Sequence, residues 1–237
     1  MDIIINKYLI DNRNSDLWLS LNQSFNISVE FSADEIYSCY TKSGCAIIYV
    51  DRNNLNPESF THELLHLYLD QKDFYLGSSI NNLIVNDQEL NKVFSQNVIF
   101  HLTNCLDHVK MFSIYKDMGY DENKFLLDYN THKMTNDELN SIKSYYKYEN
   151  RILCAAADLY IGKLFAMLCD VNDNFNYRYE LSELEKLDNI LYNCIYNIVQ
   201  EVKDFDIDKS SMFNSYIDLS FKFYESVNEW YEKNKFV

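Results

Sequence analysis

The chain has 237 residues, of which 47% are hydrophobic and 24% are charged. This balance is enough to bury one sizeable core, and it excludes a chain that stays disordered. The net charge of −15 disfavours contact with phosphate backbones, so we expect no nucleic-acid partner.

The turn-forming and sulfur-containing residues narrow the class of protein further. Only 4 Gly and 1 Pro are present, which favours helices over many tight turns. The six cysteines form no C-x-x-C pair and lie mostly within apolar runs, which is typical of buried, reduced thiols. No window approaches the ~18 apolar residues of a membrane span, and no basic segment followed by an apolar stretch opens the chain. We therefore expect a cytoplasmic protein without a membrane partner.

The first fifth of the chain has the character of a small sheet. Ile3–Ile5 is a β-branched run, and Asp16–Leu21 is predicted to form a first helix. Ile27–Phe31 alternates apolar and polar side chains, as a half-buried strand does. Ile36–Tyr40 is a weaker strand candidate and Ala46–Val50 a stronger one. Together these segments predict three or four strands.

From Asn56 onward the sequence is typical of helices. Asn56 is a favourable N-cap, and Pro57 suits the first helical position, where its missing N–H costs nothing. These signals predict a helix over Pro57–Gln71. Later helices are predicted over Asp87–Phe94, Gln96–Met118, Asn136–Cys169, Leu181–Val202 and Ser211–Lys233, with Gly119 as a C-cap and Asp170–Tyr177 as a loop.

These elements predict a fold of the α+β class, with a small N-terminal β-sheet followed by a mostly helical remainder. We expect a single domain over residues 1–237, with a β-rich part at 1–55 and a helical part at 56–237.

The pentapeptide His-Glu-Leu-Leu-His occupies positions 62–66 of the first long helix. His62 and His66 lie one turn apart on the same helix face, so both imidazoles can bind one cation. Glu63 lies about 100° further round the helix, where its carboxylate can accept a proton from a metal-activated water without binding the metal. The motif therefore predicts a zinc site with Glu63 as the general base.

With its strand-then-helix order and its helical second part, the stretch Phe60–Tyr68 resembles the motif helix of the zincin superfamily of metallopeptidases. The resemblance implies a zincin-like fold, Zn²⁺ as cofactor, and hydrolysis of a peptide or amide bond in a peptide or protein substrate. In zinc peptidases a strand edge before the motif helix often binds the substrate backbone, a role that we expect for Ala46–Val50. After His66 the chain lacks the third His and the Gly of the metzincin branch, which favours a third ligand from a later helix.

A later helix offers candidates for that third ligand. Catalytic zinc usually has three protein ligands and one open position. His101, Asn104, Cys105 and His108 form a polar stripe on one face of the predicted helix. His101 and His108 are about 10.5 Å apart along the axis, so both cannot bind one zinc. We favour His108, because Asn104 one turn earlier can orient its ring, and His101 stays an alternative.

Carboxylates and other polar residues provide further alternatives. Glu149 is the main carboxylate candidate, because Tyr148–Arg151 opens a helical stretch whose next turns are Ala-rich and can pack closely against another helix. Glu89 and Asp107 are weaker candidates, and His132 is expected at the surface. Supporting roles are open to Asp70, as a group that orients the site, and to Tyr115 and Tyr120, as donors to a developing oxyanion.

Three functions are compatible with these residues. The leading hypothesis is a cytoplasmic zinc metallopeptidase. An alternative is a non-catalytic regulatory or binding protein on a zincin-like scaffold. A third is a helical interaction module, in which aromatic residues near Phe221–Glu225 and at Trp230 and Tyr231 form an exposed patch.

Overall fold

The computed structural model describes residues 4–209 and 215–237. The predicted α+β class is confirmed, because a three-stranded sheet near the N-terminus is followed mainly by helices. The chain forms two compact units. Unit 1 contains the residues up to Phe74 together with Met111–Asn130, and unit 2 contains Tyr75–Lys110 together with the residues from Thr131 onward. The expectation of a single domain stays a prediction.

Unit 1 is built on the three-stranded sheet and two helices. Its elements are helix α1 at Ser15–Ser24, strand β1 at Asn26–Phe31, strand β2 at Ser38–Lys42, strand β3 at Cys45–Val50 and helix α2 at Pro57–Gln71. The strand order is β1-β3-β2, with β1 parallel and β2 antiparallel to the central strand β3. Ser43 and Gly44, both with positive φ, make the tight turn between β2 and β3.

The predicted strands are confirmed, with β2 beginning two residues later than expected. The β-branched run at the N-terminus does not add a strand. Ile4 is helical, Ile5 begins a short π-helical segment that ends at Leu9, and Ile3 lies outside the described residues.

Helix α2 packs its apolar face against the sheet. The fully buried side chains of this core include Leu21, Ile48, Val50, Phe60, Leu64 and Leu67. The side chain of Asn56 caps the helix by accepting a hydrogen bond of 2.7 Å from the backbone N–H of Ser59. Pro57 occupies the first turn, and the helix ends at Gln71, so the predicted bounds are confirmed. The cap and the buried face together fix the rotation of α2 on the sheet.

Unit 2 is mostly helical. Its elements are helix α3 at Leu76–Asn86, helix α4 at Leu90–Val93, the first part of helix α5 at Gln96–Asp117, helix α6 at Asn136–Tyr145, strands β4 at Lys147–Tyr148 and β5 at Arg151–Ile152, and helices α7 at Cys154–Leu168, α8 at Arg178–Leu187, α9 at Asn189–Asp204 and α10 at Tyr216–Glu232. Among the described residues, no helix has the length and apolar character needed to cross a membrane.

Two of the predicted helices were wrong as continuous elements. The predicted helix over Asn136–Cys169 is interrupted by the β4–β5 hairpin, where Glu149 and Asn150 both have positive φ. The predicted helix over Leu181–Val202 begins earlier and is broken at Asp188, whose side chain caps α9 by accepting a hydrogen bond from the Leu191 N–H. The start of the helix predicted from Ser211 lies outside the described residues.

The C-terminal aromatic residues do not all face solvent. Trp230 is fully buried in helix α10 and Phe223 is almost fully buried, whereas Phe221 is about half exposed. This burial argues against an aromatic interaction patch over the whole helix.

Candidate metal centre

Helix α2 presents two imidazoles side by side. The rings of His62 and His66 meet edge to face with their centroids 5.2 Å apart, as expected for residues one helical turn apart. Both side chains are half-buried, while Leu64, Leu65 and Leu67 on the rest of the helix are completely buried. The apolar side chains hold the helix in the core and leave the two histidines at its margin.

Helix α5 supplies the third imidazole. Its Phe112 and Tyr115 both pack against Phe125, and Phe125 in turn packs against His62. His108 lies one turn before Phe112 on the same uninterrupted helix, so it lies on the helix face that carries Phe112 and Tyr115. The His108 side chain is buried, with 8% of its surface exposed.

The three imidazoles converge. One ring nitrogen from each of His62, His66 and His108 lies within 4.8 Å of the other two. Nitrogens bound to one tetrahedral zinc at about 2.0–2.1 Å are about 3.4 Å apart, so small ring movements bring the three within bonding range. No fourth His, Cys, Asp or Glu belongs to this group in the part of the chain that the structure describes. Three imidazole nitrogens at this spacing could hold one divalent metal ion.

The surroundings of His62 favour its neutral form. The pKa of His62 is lowered to about 3, mainly by burial and also by the electrostatic effect of His66, while a hydrogen bond to the Phe125 backbone acts in the opposite direction. A neutral imidazole keeps the lone pair that a metal requires. His62 is therefore ready to act as a ligand at neutral pH.

Glu63 is a carboxyl group held out of water. Its side chain is buried, with 7% of the residue exposed. Burial raises the pKa of Glu63 to about 7, although the neighbouring His66 opposes this shift. A proton acceptor works best when its pKa lies close to the operating pH, so Glu63 has the acidity of a general base.

Strand β2 forms the wall beside the motif helix. The Thr41 hydroxyl donates a hydrogen bond of 2.7 Å to the Asp70 carboxylate of α2. Cys39, on the same side of β2, lies within the electrostatic influence of Glu63 and Asp70, and burial together with these carboxylates raises the pKa of its thiol. Asp70 thus ties the end of α2 to β2.

The expectation that Ala46–Val50 offers a free strand edge was wrong. This segment is the central strand β3 and has a neighbour on each side, β1 and β2. A strand that is paired on both sides has no free backbone groups for a ligand. Within the described residues, β2 is the outer strand of this sheet that contacts α2.

His101 does not belong to the histidine group. Its side chain is exposed, and its Nε2 lies 3.2 Å from the Gly162 carbonyl and 3.6 Å from the Cys105 sulfur. Asn104 was expected to orient the ring of His108; its side chain is exposed, whereas His108 is buried. The two histidines of the polar stripe on α5 therefore lie in different environments, because His101 is exposed and His108 is buried.

The remaining candidates for a ligand lie elsewhere. Glu149 does not open a helix, because it sits in the exposed turn of the β4–β5 hairpin. Glu89 is exposed, pairs with Lys92 and accepts a hydrogen bond from Tyr231. His132, expected at the surface, is half-buried and bonds to the Met134 carbonyl. Neither these residues nor Asp107 belong to the group of three histidines.

The two tyrosines considered as oxyanion donors have other surroundings. The Tyr120 hydroxyl accepts a hydrogen bond from Thr61 and donates one to Asp11. Tyr115 is fully buried between Tyr120 and Phe125, and burial raises the pKa of its hydroxyl. Tyr115 is completely enclosed by protein atoms, and 4% of the Tyr120 surface is exposed.

Sequence reasoning missed two residues at this centre, Phe125 and Cys39. Cys39 precedes the motif and Phe125 follows it, each by more than 20 residues, and neither belongs to a ligand-like pattern, so no local signal distinguishes them.

Comparison of the chain with protein-family models, with curated protein sequences and with solved structures gave no match. An account of function therefore depends on the residues of this centre.

Proposed function

We propose that the chain is a zinc-dependent hydrolase, acting on a peptide or amide bond, with Glu63 as its general base. The observation that supports this most strongly is the convergence of His62, His66 and His108 within 4.8 Å. The buried carboxyl of Glu63, next to the first ligand on the same helix, adds the proton acceptor that such a reaction requires.

The three imidazoles would hold the metal, and the fourth position would remain for the reactants. Zinc bound in this way supplies a Lewis acid that polarises a carbonyl group and lowers the pKa of a water molecule. The chain contributes two ligands from one helix, His62 and His66, and a third, His108, from another. Because its neutral ligands leave the metal charge uncompensated, this ligand set suits a site that stabilises a developing oxyanion.

Glu63 would move the proton. In its ionised form it takes a proton from the attacking water, and in its protonated form it gives that proton to the departing amine nitrogen. A pKa of about 7 allows both forms to be present near neutral pH. In solvent-exposed surroundings a glutamate is almost entirely ionised near neutral pH, so little of the protonated form would be present to give a proton to the amine.

The outer strand β2 is the element best placed to bind an extended substrate. It is paired with β3 on one side, and its Cys39 and Thr41 side chains lie beside Glu63 and Asp70 of the motif helix. A peptide that adds to the open side of β2 would run along the motif helix. This arrangement, together with the sheet-then-helix order, supports the proposal of a zincin-like enzyme.

A reducing compartment such as the cytoplasm is part of the proposal. All six cysteines fall within the described residues and none forms a disulfide. Reduced thiols, two of them buried, are typical of proteins that stay in a reducing environment.

The test compares the purified wild-type chain with Glu63→Gln and His66→Ala. Bound zinc is measured by elemental analysis, and hydrolysis by fluorescence from a mixture of quenched peptides. We expect one zinc per wild-type chain, and we expect zinc-bound Glu63→Gln to be about 10²–10⁴ times slower. His66→Ala should lose both zinc and activity.

Two results would separate this proposal from its alternatives. A fully active Glu63→Gln variant would remove Glu63 from the mechanism. Zinc bound at one equivalent, without hydrolysis of any peptide, would favour the non-catalytic regulatory or binding protein on the same scaffold.

A further inference from the structure

The segment after helix α5 closes over one side of His62. Phe125, which is almost fully buried, places its ring centroid 4.9 Å from that of His62 at an angle of 50°. The backbone of Phe125 also hydrogen-bonds to the imidazole of His62. A single residue, 63 positions further along the chain, thus contacts both the face of the ring and one of its polar atoms.

Phe125 is itself held in place from several directions. Its ring packs against Phe112 and Tyr115 of α5, with centroid distances of 5.2 and 5.1 Å. These contacts hold the Phe125 ring against helix α5 while it also contacts His62. The ring of Phe125 therefore fills the space between α5 and α2 within unit 1.

The backbone around Phe125 is anchored by polar contacts. The Tyr129 hydroxyl donates a hydrogen bond of 3.2 Å to Glu122, and the Asn130 amide donates one of 3.0 Å to Asn123. Glu122 also forms an ion pair of 2.7 Å with Lys116 of α5. These contacts tie residues on both sides of Phe125 to each other and to the helix, so the segment is not a loose loop.

We infer that Phe125 is a positioning residue that holds the His62 imidazole in the orientation required for metal binding. A histidine side chain has two rotatable bonds, and only a small part of their range directs a ring nitrogen towards His66 and His108. The apolar ring of Phe125 blocks the alternative rotations, and the backbone hydrogen bond selects which ring nitrogen remains for a ligand. The inference rests on the proposed metal site and adds to it a residue that no metal-binding motif contains.

The test measures zinc affinity by competition with a fluorescent chelator, using the full chain. We expect Phe125→Ala to bind Zn²⁺ about 10–100 times more weakly than the wild type. Phe125→Leu, which keeps apolar bulk against the imidazole, should stay within about threefold of the wild type, because blocking the ring requires volume rather than aromaticity. Phe125→Val, a smaller truncation, gives the same comparison if the alanine variant does not fold.

Phe165→Ala is the matched control. It removes a fully buried ring of helix α7 that packs against Phe223 of helix α10 rather than supporting Phe125. We expect it to lower stability at least as much as Phe125→Ala does, yet to leave zinc affinity within about threefold. Equal losses of affinity in the two variants would overturn the inference, because they would reflect general loosening of the core.

A second readout addresses orientation directly. Nitrogen-15 NMR of labelled histidine reports the tautomer of His62 in the metal-free protein. We expect one tautomer in the wild type and an exchanging mixture in Phe125→Ala. If the wild type binds no zinc, the proposed function fails; if the wild type binds zinc and Phe125→Ala binds it equally well, only the role of Phe125 fails.

Discussion

The hydroxyl of Thr61 donates a hydrogen bond of 3.0 Å to the hydroxyl of Tyr120, directly beside the first histidine of the motif. Both residues are buried, and the Thr61 oxygen also accepts a hydrogen bond of 2.9 Å from the Asn14 side chain. The Tyr120 hydroxyl continues the chain of bonds to Asp11. This network ties the start of α2 to the segments on either side of it.

We predict that Thr61→Val destabilises the chain by about 1–3 kcal/mol, because it leaves the buried Asn14 amide without one of its acceptors at almost unchanged volume. Thr61→Ser keeps the hydroxyl and should cost less. Urea unfolding, followed by circular dichroism, measures both. A valine variant as stable as the wild type would show that the network contributes nothing to stability.

His101 and His108 lie on the same helix, α5, and their alanine variants allow a comparison of metal binding. His108→Ala should reduce zinc content to less than a tenth of that of the wild type, because the two remaining imidazoles, both on α2, form only a partial ligand set. His101→Ala should retain full zinc content, since His101 is exposed and interacts with Gly162. Elemental analysis after gel filtration measures both variants, and the reverse pattern would identify His101 as the ligand.

Metal removal should lower thermal stability. A site that exists only in the folded chain stabilises it by about 2.7 kcal/mol when free zinc is 100 times the dissociation constant. For a chain of this length, that corresponds to a rise in Tm of about 5–10 °C. Differential scanning fluorimetry with zinc and with a chelator measures the difference. His66→Ala should show no such rise, and an equal rise in that variant would place the zinc elsewhere.

The hairpin turn offers a way to stabilise the chain without affecting the metal site. Glu149 has a φ of 49° in a two-residue turn, a conformation that glycine adopts without strain. We predict that Glu149→Gly stabilises the chain by about 0.5–1 kcal/mol. Asn150→Gly should change little, because asparagine already tolerates a positive φ. Unfolding in urea measures both changes, and loss of zinc in Glu149→Gly would restore Glu149 as a possible ligand.

A buried carboxylate holds unit 2 together. The Tyr146 hydroxyl and the Trp230 indole N–H both donate to Asp188, at 2.7 and 2.9 Å. We predict that Asp188→Asn costs about 2–4 kcal/mol, because an amide cannot accept these bonds and also cap helix α9. The exposed Asp173→Asn serves as the control and should be neutral. A neutral result for Asp188→Asn in urea unfolding would contradict this account.

The parts of the fold that depend on local signals could be predicted from the sequence. Asn56 and Pro57 mark the beginning of α2 unambiguously, and the i, i+4 spacing places His62 and His66 on one face. His108 was predicted from an amphipathic pattern on α5, and the structure brings it to the other two histidines. The expected role of Asn104 in orienting the His108 ring stays a prediction, and the Asn104 side chain is exposed.

Other parts depend on tertiary packing and could not be read locally. Helix α3 contains Gly, Ser and Asn residues with poor helix propensity, and we did not predict it. Its buried Leu76, Ile80 and Ile84 recur every four residues and pack into unit 2, where α3 contacts α10. That spacing was the available signal. The breaks at Glu149 and Asp188 involve neither Gly nor Pro, so the ordinary markers of chain reversal were absent.

The order of the ligands along the chain has a consequence for biosynthesis. His66 and His108 are separated by 42 residues, and Phe125 follows later still. At about 5–20 residues per second, a ribosome needs roughly 2–8 s to pass from the second histidine to the third. During that interval the growing chain exposes only a two-point chelate. Tight metal capture at the proposed centre would therefore wait until α5 and the segment after it have been made.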